Sequence, residues 1–313
     1  MRGLFKFSQV LSTDVAADDP FAAALAQEPI KGRSLWADAW HRVLRNRAAV
    51  TSGIVMLVMV MLVIFGPMLS EWSGDYTDWD HTSSPPNLET GHWFGTDAVG
   101  RDIFVRTLQG GRISLLVGVV ATLVSLVIGV SYGAIAGYYG GTTDRLMMRA
   151  VDIIYALPFM FFVILLMVVF GRHILLIFVA IGAVNWLDMA RIVRGQTLGL
   201  KNTEYVEAAR ACGVGHWAII RRHIVPNLIG VVIVYVTLTI PQVILVESFL
   251  SFLGLGVQEP MSSWGALVND GAQDMESAPW TLAFPAAFLT ITLYCFNYIG
   301  DGLRDALDPK DKS

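Results

Sequence analysis

Side-chain chemistry needs nucleophiles, bases or metal ligands at spacings that one fold can gather. The 313-residue chain carries six histidines, at positions 41, 81, 92, 173, 216 and 223. They form no close pair and no His-Glu-x-x-His, so each reads as a surface or capping residue and no metal site is expected. None of the five lysines follows a glycine, which excludes a P-loop. Cys212 and Cys295 stand far apart, without CxxC or metal spacing, so no disulfide framework is expected. Only Glu247, Asp188 and Asp301 come near the apolar interior, each at the end of an apolar run. A proton- or ion-coupled transporter keeps titratable groups at mid-membrane. A secondary transporter, a channel and an intramembrane enzyme are therefore disfavoured, and energy is expected from outside this chain.

One polar stretch carries a pattern. Thr203-Glu-Tyr-Val-Glu-Ala-Ala-Arg-Ala-Cys-Gly213 reads as a short helix. Thr203 suits its cap, Glu204 and Glu207 suit its positive N-terminal end, and Gly213 suits a left-handed stop. Residues 216–224 read as a second, basic helix, and Pro226 opens the next apolar run. Two short helices on a basic loop fit a docking platform for a cytoplasmic partner. They fit an ordinary positive-inside loop equally well.

The elements that must position this stretch are membrane helices. Apolar residues make up 54% of the chain and charged residues only 15%, against about 25% in soluble chains. The net charge of −4 leaves no basic footprint for nucleic acid. Six apolar runs, at 51–69, 113–138, 153–170, 174–187, 228–246 and 281–300, predict six transmembrane helices. The fourth is short and follows the third so closely that a tight hairpin is the economical reading. With the N-terminus inside, inner segments hold 18 Lys and Arg and outer segments 4, which predicts that both termini are cytoplasmic. The expected organisation is a mobile tail at 1–30, an amphipathic interfacial helix at 31–48 capped by Ser34, a six-helix domain at 49–308 and a tail at 309–313. Trp36, Trp40 and the arginines around them carry the interfacial reading, with docking on protein as its alternative. Within the domain, outer loops span 70–112 and 248–280, and the basic inner loop spans 188–227. Gly129, Gly133 and Gly137 recur every four residues, a spacing that serves close helix packing within the chain or at a subunit seam. Pro158, Pro241 and Pro285 interrupt runs three, five and six.

Glu207-Ala208-Ala209, then Gly213, then a segment ending at Pro226, resembles the EAA loop of ATP-binding-cassette importer permeases. The family places Ile and Leu three and one residues before the proline; His223 and Val225 depart from this. His223-Ile-Val-Pro-Asn227 is instead similar to the peptide permeases. His92-Trp-Phe-Gly-Thr-Asp-Ala-Val-Gly-Arg-Asp102 resembles the stretch ahead of the second span in peptide and nickel permeases. Residues 248–258 with Ser263-Trp-Gly265 resemble the last outer loop of their C-type subunits. Gly32-Arg-Ser-Leu-Trp36 and the stretch 297–309 point to the oligopeptide branch.

The resemblance, which covers residues 31–313, implies a type I importer transmembrane domain in a bacterial inner membrane. The chain would form half of a twelve-helix pore with a homologous B-type subunit. Two ATPase subunits holding ATP and Mg would dock below, a solute-binding protein above, and a peptide would pass between. The chain itself would bind no cofactor and no nucleic acid. The resemblance puts ATPase coupling on Glu204, Glu207, Ala208, Ala209, Gly213, Val214 and Pro226. Binding-protein contact falls to Gly254, Gly256, Gln258 and Trp264, together with the loop 71–112. Tyr235, Thr239 and Gln242 are candidates for the path. Glu247 would either meet a peptide amine or lie solvated in the mouth. Dipeptide or nickel transport within the same family is the alternative, and the lack of clustered His or Cys disfavours nickel.

Overall fold

The computed structural model describes residues 35–170 and 174–307, so the expectations for the two tails, Ser34 and His173 lie outside the described residues. The chain divides into two units, 1–41 and 42–313. The described part of the first unit belongs to α1 (Leu35–Arg45). The described residues form helices and no strand, with one isolated bridge between Thr96 and Asp102.

Asn46 breaks the chain after α1, and its side chain accepts the Ala49 N–H to cap α2 (Arg47–Phe65). The far end of α2 is closed by a distant residue. Arg112 donates to the carbonyls of Val63 and Ile64 at 2.8 and 2.6 Å, a cation set on a helix C-terminus. Next come α3 (Ile103–Tyr139), α4 (Gly141–Ala156), α5 (Phe159–Phe170) and α6 (Ile174–Leu200). The short α7 (Glu204–Ala211) precedes α8 (His216–Ile219), which runs through a π-turn at Ile220–Ile224 into α9 (Val225–Phe252). The chain closes with α10 (Trp264–Gln273) and α11 (Trp280–Leu307).

Four stretches are long and apolar enough to cross a membrane: Arg47–Leu69, Ile103–Tyr139, His216–Phe252 and Trp280–Leu307. A fifth is gained if Gly141–Ala156 and Phe161–Phe170, bent by 81°, count as one span. The helices outrun the apolar runs. α3 starts ten residues before position 113, and at 37 residues it is about 55 Å long, well beyond a hydrocarbon core of about 30 Å. Positions 139–152, between the second and third apolar runs, are mostly α4, and much of the inner loop 188–227 is helix. A helix satisfies its own backbone and continues past the last apolar residue wherever no breaker stops it. Pro158 does stop one, at the α4–α5 break, whereas α9 and α11 carry Pro241 and Pro285 internally.

The glycine stripe of α3 packs within the chain, against α6. A Cβ on Gly129 would lie 2.6 Å from that of Met189, one on Gly137 would lie 2.8 Å from the Arg194 carbonyl, and one on Gly133 would strike the Ala190 carbonyl. Beside this seam, Arg194 grips the buried Asp144 with two bonds of 2.5 and 2.6 Å, which fastens α4 to α6.

Candidate functional site

The helix α7 is built as a presented element. Val206 is its one fully buried side chain, set among Ala134, Tyr138, Met189, Val193, Ile219, Ile220, Ile224 and Leu228. This cluster joins α7 to α3, α6, α8 and α9 in one packed body. Glu204, Glu207, Ala208, Arg210 and Ala211 are exposed, Ala209 and Val214 are half-buried, and Val214 packs on the cluster. Among the described residues neither Glu204 nor Glu207 forms an ion pair.

The ends of α7 follow the backbone more than the side chains. Thr203 takes the cap position, yet its hydroxyl donates to the Leu200 carbonyl at 2.6 Å instead of accepting from α7. That corrects the expectation of a side-chain cap; the Thr203 carbonyl alone accepts the Val206 and Glu207 N–H groups. Gly213 has φ +78°, and the Val214 N–H returns to the Ala209 carbonyl at 3.1 Å. This is the left-handed stop that the glycine predicts. Beyond it the Tyr138 hydroxyl meets His216 Nδ1 at 2.9 Å, and Arg210 lies over the Tyr138 ring. Trp217, 62% exposed, and Arg221 and Arg222 extend the open face. Pro226 is exposed in the first turn of α9. Trp217 went unnoticed in the sequence because one aromatic residue in a basic stretch carries no periodic signal.

At the other end of the helices, residues 70–112 and 248–280 knit together. Arg101 donates to Asp97 at 2.7 Å and to Glu259 at 2.6 Å. The Arg101 hydrogen bond holds the Glu259 carboxyl below its ordinary range, with burial opposing. Arg106, almost wholly buried, lies 3.6 Å from Glu259. The Trp264 indole donates to the Thr107 carbonyl at 2.9 Å, and its backbone N–H donates to Ser114 Oγ at 3.1 Å. Of the residues expected at a binding-protein surface, Gly254 and Gln258 are exposed. Gly256 is buried against Ser251, and Trp264 is fully buried. The large indole serves better as the anchor of this corner than as a contact surface, which corrects its expected place.

Glu247 differs most from expectation. It is 0% exposed, so it does not lie solvated in a mouth. Ser114 and Ser251 donate to its two oxygens at 3.1 and 2.7 Å, and Ser263 lies 3.2 Å from Ser251. A carboxyl in an apolar helix is held by hydroxyls because an unpaired one is costly there. Thr239 is buried and its hydroxyl turns back to the Tyr235 carbonyl at 2.8 Å. Tyr235 is half-buried and Gln242 exposed, so the structure does not bring the four expected path residues to one surface.

Two histidines also depart from expectation. His92 is 1% exposed and its ring lies 6.0 Å from that of His81, although the sequence offers no close pair. Backbone turns over residues 78–102 bring them together, which no periodicity foretells.

Residues 129–312 match the family described as the binding-protein-dependent transport system inner membrane component. The chain belongs to that family. Residues 34–86 of this inner membrane component also match the N-terminal TM domain of oligopeptide transport permease C. It is 62% identical, over 90% of its length and 94% of the relative's, to an oligopeptide transport system permease protein of Escherichia coli K12. It is 58% identical to the oligopeptide permease of Haemophilus influenzae, covering 93% of this chain and 94% of that one. A dipeptide transport system permease protein of Bacillus subtilis is 48% identical over 87% of this chain and 85% of its own. The matched range 129–312 contains α7, Gly213 and Pro226.

Proposed function

We propose that this chain is the C-type permease subunit of an ATP-driven oligopeptide importer in a bacterial inner membrane. The observation that carries the reading is α7: a short helix with unpaired acidic residues and small exposed alanines, ended by a left-handed glycine and rooted by Val206. In this reading the chain has six spans, both termini lie in the cytoplasm and α7 faces the cytoplasm. It forms half of the pore with a homologous B-type permease. Two cytoplasmic ATPase subunits hold the ATP and Mg, and this chain does no catalysis. Their closure pushes on α7 through Glu204, Glu207, Ala208 and Ala209. Because Val206 shares a cluster with α3, α6 and α9, the push moves those helices as one body. A peptide delivered by a binding protein then enters from the opposite side, where Gly254 and Gln258 are open. In this reading α1, with Trp40 exposed, is an amphipathic helix of the cytoplasmic membrane interface. The oligopeptide substrate rests on relatives of 58% and 62% identity bearing that name, against 48% for the dipeptide one.

The test is reconstitution of the chain with its partner permease, ATPases and binding protein in lipid. Peptide together with the binding protein is expected to stimulate ATP hydrolysis. Glu207→Lys and Gly213→Val are expected to insert normally and lose most of that stimulation. Full stimulation in both variants would remove the docking role from α7.

A further inference from the structure

Asp78 Oδ2 lies 2.9 Å from His81 Nδ1 and 3.4 Å from His92 Nε2. One donor atom from each residue falls within 4.8 Å of the others. The buried member is held from behind. His92 Nδ1 lies 2.8 Å from Asp102 Oδ2, and both side chains are 1% exposed. The second Asp102 oxygen accepts the Val105 N–H and caps α3. Trp72 stacks on the His92 ring at 4.3 Å and 20°. The ring therefore cannot turn. With its Nδ1 hydrogen given to Asp102, its Nε2 lone pair points at Asp78 and His81. A carboxylate that orients a histidine through one nitrogen and leaves the other to coordinate is the usual outer shell of a metal site.

The backbone keeps the three residues in place without any ion. The Asp78 N–H donates to the Gly100 carbonyl at 3.0 Å, and Thr96 Oγ1 donates to the His81 carbonyl at 2.5 Å. The separations of 2.9 and 3.4 Å lie near the roughly 3.3 Å between ligand atoms on tetrahedral zinc. Two imidazoles and one carboxylate suit zinc and its neighbours, whereas calcium and magnesium take oxygen shells. His81 is 40% exposed, so water can supply a fourth ligand.

We propose that Asp78, His81 and His92 bind a divalent transition cation of the zinc class, which clamps the loop ahead of α3. Among the described residues this is the one such cluster, and the backbone bonds that fix its members suit a resident clamp.

The test uses the untagged full-length chain in lipid nanodiscs, with Zn²⁺ in competition against a chelating dye and Co²⁺ as a spectroscopic probe. One Zn²⁺ per chain is expected, with the strong visible absorption of four-coordinate Co²⁺. His81→Gln, on a half-exposed ring, keeps the fold and is expected to weaken binding at least tenfold. Asp102→Asn is expected to weaken it by about 10–100-fold, the usual effect of an outer-shell change. Zn²⁺ should also slow backbone hydrogen exchange at residues 78–81 in the wild type alone. Equal Zn²⁺ affinity in wild type and His81→Gln, or unaltered exchange on adding Zn²⁺, would reduce the cluster to a set of ion pairs and overturn the proposal.

Discussion

Gly213 separates backbone from contact effects, since its φ is +78° and no atom lies within 4 Å of where a Cβ would stand. Within the chain, the cost of substitution is therefore that of the left-handed backbone, about 1–3 kcal/mol for a branched residue. Gly213→Asn should retain most peptide-stimulated ATPase activity where Gly213→Val loses it, because asparagine tolerates that region. Equal loss in both would point to a need for the bare backbone at a contact. Glu247 presents the opposite case, a side chain defined wholly by its partners. Glu247→Ala would strand Ser114 and Ser251, a penalty of about 1–3 kcal/mol. Glu247→Gln preserves most of the bonding. In thermal unfolding of the purified chain, alanine should lower the midpoint clearly more than glutamine does. Glutamate was visible in the sequence as a charge at a span end, but its three serines come from three separate segments.

Helices α3 and α6 meet through backbone, and that contact sets the outcome of the next substitution. Gly133→Val would drive a side chain into the Ala190 carbonyl and the Val193 Cβ. Rigid carbonyls cannot give way as a flexible side chain does, so the helices must part. Overpacking of this kind costs about 1–3 kcal/mol or more. A lower unfolding midpoint is expected, with cysteine cross-linking between α3 and α6 reporting the separation. Gly230→Val, where nothing lies within 4 Å, serves as the control and should leave the midpoint close to wild type. The four-residue glycine spacing was legible from sequence, since it needs only the helical repeat. Its partner was not, because a stripe of small residues states that something approaches without stating what. The same holds for Pro158: a break was readable, while the 81° bend between the flanking helices depends on packing on both sides.

Across the whole molecule, Arg101 and Glu259 join two loops separated by 158 positions. The folded Glu259 carboxyl sits below its unfolded value, so the pair adds stability at neutral pH. That stability declines once the pH falls below the ordinary glutamate range of about 4.3, and it is gone below the lowered folded value. With Glu259 64% exposed, the effect should be local. Protection from hydrogen exchange at 253–260, taken relative to the intrinsic rate at each pH, should fall at acid pH in the wild type, and Glu259→Gln should show the lowered protection already at pH 7. An unchanged rate in that variant would show the loop to be held by Trp264 alone. Helical class, the apolar runs of the membrane helices and the acidic, small-residue pattern of α7 were determined by the sequence itself. Hydropathy, charge and local spacing act over one or two turns, and those are properties of consecutive residues. The burial of Trp264 and Glu247, the two-handed grip of Arg194 on Asp144, and the meeting of Asp78, His81 and His92 were decided only in the tertiary structure. Each depends on segments brought together by helix packing and by turns whose backbone bonds no periodicity records.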